Sequence, residues 1–134
     1  MLYLIDTDIA SYIVNSRPSR VASKFAGVPS TQVAVSAVTK AELLYGLKRV
    51  PPHHRLQFAV PRFLNAIRVL AWQPEAAEFY AEIRHYLTST GQPIGELDMM
   101  IAAHALALDA TLVTNNTRHY QRIQAPLRLE NWSV

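Results

Sequence analysis

The run Leu2-Tyr3-Leu4-Ile5 is apolar and stops abruptly on Asp6-Thr7-Asp8. Four consecutive apolar residues that end on two acids read as a buried strand whose carboxyl end is given over to polar chemistry. In an open α/β sheet, ligands gather just beyond the carboxyl ends of the strands. Glu42 and Asp98 stand at comparable switches from strand or loop into helix. Acids from distant segments that meet at such an edge repel one another, and a divalent cation removes that repulsion. The pattern predicts an acidic, oxygen-ligand metal site on an α/β domain.

The rest of the chain continues the alternation. Strands are predicted at Leu2–Ile5, Gln32–Ser36, Val69–Trp72, Thr111–Thr114 and Leu127–Trp132. Helices are predicted at Thr7–Asn15, Ser19–Ala26, Thr39–Val50 and across His53–Leu70, with a kink or break at Pro61. A long helix starts at Pro74 and carries Ala76, Phe79, Ile83 and Leu87 on one face. An alanine-rich helix spans Asp98–Asp109. Apolar strands alternating with helices imply a mostly parallel central sheet covered on both faces, a three-layer α/β/α sandwich. The 134 residues read as a single domain over 1–134.

There is no cysteine, which excludes disulfides, thiolate zinc sites and a cysteine nucleophile. No stretch reaches the length of a membrane span, so a soluble, cytoplasmic protein is expected. The net charge of +3 conceals an asymmetry. From Ile9 to Pro74 there are nine basic residues and one acid, a local charge of +8. From Glu75 to Asp109 the balance is −5. A basic half suits a polyanionic partner such as nucleic acid, and solvated helix faces are the alternative.

Each acid has a structural alternative. Asp6 and Asp8 can both cap the first helix, and Asp8 is the better placed. Thr39-Lys40-Ala41-Glu42 fits a capping box, with Glu42 reaching back to the helix start. Asp98 resembles another N-cap, with the small Ala102 and Ala105 one turn on, leaving room for a neighbouring element or a phosphate. Thr114, Asn115, Asn116, Thr117 and Arg118 follow a buried strand, where they can hold a metal-bound water or phosphate or simply make a turn. The five histidines have no ligand spacing, and no glycine-rich phosphate loop or nucleophile elbow occurs.

Four segments in order then resemble one family. They are Leu-Ile-Asp-Thr-Asp at 4–8, Val-Ser-Ala-Val-Thr-Lys-Ala-Glu-Leu-Leu-Tyr-Gly at 35–46, Pro-Ile-Gly-Glu-Leu-Asp-Met-Met-Ile-Ala-Ala-His-Ala at 93–105, and Leu-Val-Thr-Asn-Asn-Thr-Arg-His-Tyr at 112–120. With Leu-Glu-Asn-Trp at 129–132, they resemble PIN-domain ribonucleases, above all the VapC toxins of toxin–antitoxin pairs. The resemblance implies a PIN-like α/β/α sandwich and Mg²⁺- or Mn²⁺-dependent cleavage of RNA to 5′-phosphate and 3′-hydroxyl ends. It also implies a VapB-type antitoxin, a toxin homodimer and a higher complex with antitoxin. It places metal ligands at Asp6, Glu42 and Asp98, and further site residues at Thr114, Asn115 and Asn116. Thr-Asn-Asn-Thr-Arg resembles the toxins that cut initiator tRNA in the anticodon loop, so tRNA is the expected substrate. Where many relatives carry a fourth acid around 115–119, this chain has Asn115, Asn116 and His119, and Asp8 is expected to restore part of the missing charge. Arg118 and the basic half are expected to neutralise RNA phosphates.

Two other classes fit fewer features. A non-catalytic PIN-like module that binds RNA or protein is consistent with the missing acid. A phosphatase with an aspartate nucleophile also begins on a strand ending Asp-x-Asp, but it needs a lysine near the site, and no lysine lies downstream of Lys48.

Overall fold

A computed structural model describes all residues, 1–134. The elements run β1 (Tyr3–Ile5), α1 (Thr7–Asn15), α2 (Ser19–Ala26), β2 (Val33–Ser36), α3 (Ala37–Leu47), α4 (Leu56–Ala66), β3 (Arg68–Leu70), α5 (Pro74–Ser89), α6 (Glu96–Ala107), β4 (Thr111–Val113), α7 (Thr117–Tyr120) and β5 (Arg128–Glu130). All neighbouring strands pair in parallel, in the order β3-β2-β1-β4-β5. Parallel pairing needs a crossover between strands, and the intervening helices supply it.

Successive side chains along a strand face opposite sides, and the core divides accordingly. Leu4, Ala34 and Leu112 face one layer, where they meet Ile83 and Leu87 of α5 and Ile101, Ala102 and Ala105 of α6. Ile5, Val33, Val35 and Val113 face the other, against Ile9 of α1, Val21 of α2, Leu43 of α3 and Val60 and Phe63 of α4. The expected three-layer sandwich is therefore present. Helix α6 is buried over Met99 and Ile101–Ala105, because it is packed between the sheet and α5. Its alanines permit that close approach, and Ala102 and Ala105 meet the core rather than a phosphate.

Several boundaries differ from expectation. Helix α3 starts at Ala37 because the Ser36 hydroxyl accepts the Val38 N–H, 3.1 Å away, and caps the helix there. Thr39 and Glu42 are thus interior residues, and no capping box forms. Helix α4 continues through Pro61, which is exposed, so solvent can satisfy the freed carbonyl. Strand β3 ends at Leu70, and the Trp72 indole N–H instead donates to the Met100 carbonyl on α6. Phe79 is 38% exposed and contributes less to the α5 core face than Ala76, Ile83 and Leu87. The short α7 was not expected from the turn-forming sequence there.

Trp132 closes the open side of the second core. It is 1% exposed, stacks at a tilt on Tyr3 with ring centroids 5.6 Å apart, and donates to Glu130 Oε1. Trp132→Ala should cost about 3–5 kcal/mol, the usual range for truncating a buried aromatic. Urea denaturation of the two proteins measures this, and a loss below about 1 kcal/mol would contradict the packing role.

Candidate active site

The sheet sets the position of the acids. The chain leaves β1 toward β2 and β3 on one side and returns to β4 and β5 on the other, so the winding reverses between β1 and β4. Crevices in α/β sheets open at such a reversal, beyond the carboxyl ends of the strands. Asp6 follows β1 directly, Ser36 ends β2, and Thr114 follows β4.

Asp6 is 3% exposed. Its N–H donates to the Val113 carbonyl, which extends the β1–β4 ladder by one residue. Its Oδ1 accepts the Ile9 N–H at 2.9 Å, so Asp6, and not Asp8, caps α1. The reason is backbone geometry: Asp6 is still extended, whereas Asp8 is already helical and exposed. Burial pushes the Asp6 carboxyl up to about 7, and the charges of Asp8 and Asp98 add to this. The Thr114 hydroxyl and the Ile9 amide oppose the rise.

Glu42 is half-buried in the middle of α3. Its Oε1 accepts the Thr7 hydroxyl at 2.5 Å, and Thr7 Oγ1 lies 3.1 Å from Thr39 Oγ1. Burial first, then Asp98 and Asp8, raises its pKa above the ordinary value, against the Thr7 hydroxyl. Asp98 lies in the first turn of α6, which begins at Glu96 after Gly95, and so is not the N-cap. Its pKa is also raised, by burial and then by Asp8, while the Tyr120 hydroxyl and His119 pull it down. Glu96 points away into an exposed ion pair with Arg84.

The four carboxylates therefore share one field. The structure brings Asp6 and Glu42 each within electrostatic reach of Asp98 and of the rim residue Asp8. None of them is in an ion pair, since the two ion pairs of the chain are Arg84–Glu96 and Arg128–Asp109, and the only positive charge felt among them is that of His119 at Asp98. It does not bring three of them into a closed ligand shell: no three acid or histidine side chains are disposed to hold one ion directly. Asp6 and Glu42 are each oriented by a hydrogen bond to their own surroundings, one to Ile9 and the other to Thr7.

Thr114 is fully buried, and its hydroxyl accepts the Asn116 N–H at 2.9 Å. Asn116 Nδ2 lies 2.7 Å from His119 Nδ1 at the start of α7. Asn115 turns the other way, donating to the Tyr12 hydroxyl and accepting from Ser133 and Asn131, so it ties down the C-terminal segment. Three site features were absent from the sequence reading. Thr7 orients Glu42; its place between two acids was the available signal. Tyr120 is 1% exposed, and its hydroxyl makes no complete hydrogen bond yet sits in the field of Asp98, Asp6 and Asp8, which with burial pushes its pKa up. His104 is buried with Nδ1 2.8 Å from Ser36 Oγ, which braces the start of α3 from α6. Nothing local in the sequence announces either of the last two.

Residues 3–125 match the PIN domain family. The chain is 37% identical to ribonuclease VapC2 of Haemophilus influenzae over 97% of both chains. It is 34% identical to the tRNA(fMet)-specific endonuclease VapC of Shigella flexneri over 98% of both. Among solved structures, it superposes on the Rickettsia felis VapBC2 complex bound to a promoter DNA fragment with a TM-score of 0.89, at 33% identity, covering 98% of this chain and 99% of that one.

An acid whose pKa is higher in the folded protein binds more protons folded than unfolded between the two values, so stability falls as pH rises through that interval. For Asp6 the interval runs from about 3.8 to about 7, and Glu42 and Asp98 act in the same direction. Thermal unfolding in chelator should therefore show Tm declining with pH across that interval. Asp6→Asn keeps a cap for α1. It should flatten the decline and raise stability above the interval by on the order of 1–3 kcal/mol. A variant less stable than the parent at that pH would overturn this account.

Proposed function

Because the chain belongs to the PIN-domain family, we propose that it is a metal-dependent endoribonuclease, the toxin of a VapBC-type toxin–antitoxin pair. The observation that carries this reading is the group of four carboxylates, none of them in an ion pair, at the reversal point of a parallel sheet. The donors are all oxygens, with no thiolate and no paired histidines, which fits a hard ion such as Mg²⁺ or Mn²⁺. Asp6, Glu42 and Asp98, with Asp8 at the rim, would hold it. Mg²⁺ retains several of its waters, so three direct protein ligands are not required. When bound, such an ion supplies an activated water and stabilises charge at the phosphorus.

The chain's own residues do the rest. Thr7 keeps Glu42 turned inward, and His104 and Ser36 brace the helix that carries it. Asn116, half-buried before α7, can offer its amide to a substrate phosphate or water, and the buried Thr114 hydroxyl holds the turn that places it. Tyr120 keeps its buried hydroxyl beside Asp98 and lowers that carboxylate's proton affinity. Asp8 contributes charge felt at Asp6, Glu42 and Asp98 alike, which supports its role in place of a fourth acid.

The Shigella flexneri relative is named for tRNA(fMet), which supports tRNA as the substrate class. The Rickettsia felis structure is a VapBC complex, which supports a VapB-type antitoxin as partner. A toxin homodimer and a higher complex with antitoxin belong to the same proposal. Among the apolar residues of α3 and α4, Leu43 and Phe63 are core and Leu47 is half-buried, whereas Leu44, Tyr45 and Phe58 are exposed and free to meet a partner. No helix is long and apolar enough to cross a membrane. The absence of a preassembled three-acid shell favours one second reading, an RNA-binding module without cleavage.

Asp6→Ala and Asp98→Ala should each abolish cleavage of tRNA in Mn²⁺ while the protein remains folded by circular dichroism. Loss of an outer partner of a metal ligand commonly costs 10–100-fold, so loss of a ligand should exceed about 100-fold. EDTA should stop the parent enzyme. Persistent activity in EDTA would exclude the metal mechanism, and failure of the parent to cut any tested RNA would favour the binding module. Asp8→Asn should raise the Mn²⁺ concentration for half-maximal rate, and an unchanged concentration would remove Asp8 from the site.

A further inference from the structure

A second feature lies along the flank of Asp98. An open cleft of about 670 Å³ is lined by Gly91, Gln92, Pro93, Arg118, Gln121 and Arg122. Two arginines and two amides face it, with no acid and no apolar wall. This is unexpected on bulk charge, because one wall belongs to the stretch from Glu75 to Asp109, whose balance is −5.

The two arginines differ in what they do. Arg122 Nη1 donates to the Pro93 carbonyl at 3.1 Å and fixes one wall to the other. Arg118 is exposed and has neither an ion pair nor a hydrogen bond within the chain. It is a free guanidinium held over a polar floor.

Both walls run into the acidic site. The 91–93 wall continues to Gly95, where a Cβ would stand 3.4 Å from Asp98 Oδ2. The other wall is α7 and the residues after it, which start from Asn116 and hold His119 and Tyr120 toward Asp98. The cleft is thus joined through both of its walls to the backbone that carries Asp98 and His119.

We propose that the cleft is a phosphate subsite, in which Arg118 takes a backbone phosphate of the RNA next to the one at the acids and Gln92 and Gln121 give it neutral hydrogen bonds. This rests on the nuclease reading above and narrows it. The expected basic half gives diffuse attraction, whereas this cleft fixes register. A guanidinium suits a phosphate because its planar fork donates two parallel bonds, and amides add contacts that do not depend on base identity.

The test measures binding of unfractionated tRNA and of an oligouridine to Asp98→Asn protein, with and without Arg118→Ala, across a salt series. Arg118→Ala should weaken both about tenfold and reduce the slope of log K against log salt by about 0.7, one single-strand phosphate contact. Arg118→Lys should recover the slope but only part of the affinity, since it keeps the charge and loses the fork. In the cleaving protein, Arg118→Ala should slow a long RNA and spare a dinucleotide, which has no outer phosphate. Unchanged affinity and slope would overturn the subsite even where the parent cuts RNA. Loss of antitoxin affinity with RNA binding intact would overturn it too, and assign the cleft to the protein partner. A parent that binds RNA with this Arg118 dependence but cuts nothing would leave the subsite standing and refute the nuclease.

Discussion

The site depends on carboxylates that the fold holds out of water first and near one another second. Asp6 cannot withdraw, because its N–H is in the β1–β4 ladder and its carboxylate caps α1. Asp98 cannot, because α6 is buried between the sheet and α5. Glu42 is held by Thr7, and its helix is fixed at its start by Ser36 and His104. The hydrophobic layers on both faces of the sheet offset the cost of holding like charges in a partly dry crevice.

That cost is also the means of function. Desolvated acids that repel one another gain affinity for anything positive, first a proton and, far better, a divalent cation. The raised proton affinity and the affinity proposed for a hard ion would both follow from that field. The substrate proposed for the site is itself anionic, so the acids alone would drive it away. Cationic groups must stand near them, and Arg118 and Arg122 line a cleft whose two walls lead on, through Gly95 and His119, to Asp98.

Much of this could be read before any coordinates. The apolar run into Asp6 marked a strand end at the functional edge, and the alternation of strands and helices marked the parallel sheet with two covered faces. The errors have specific causes. Asp8 seemed the better cap because sequence does not show at which residue the backbone leaves the extended region. Thr39 and Glu42 matched a capping box because the pattern is local, while the true start of α3 depends on Ser36, whose hydroxyl is also engaged by His104 from far along the chain. The turn-like residues after Thr114 concealed α7, because a single helical turn has too few residues to show a period.

By itself, then, the sequence determined the order of the elements, the acids that end at the sheet edge, and the absence of thiolates, since these depend on residue type and short-range periodicity. Only the tertiary structure decided which acids feel one another, that Thr7, Tyr120 and His119 stand among them, and that two arginines and two glutamines close a cleft beside Asp98. Those relations join residues tens of positions apart. They are set by strand order and by the depth to which α6 is packed, and neither is written in any local stretch of chain.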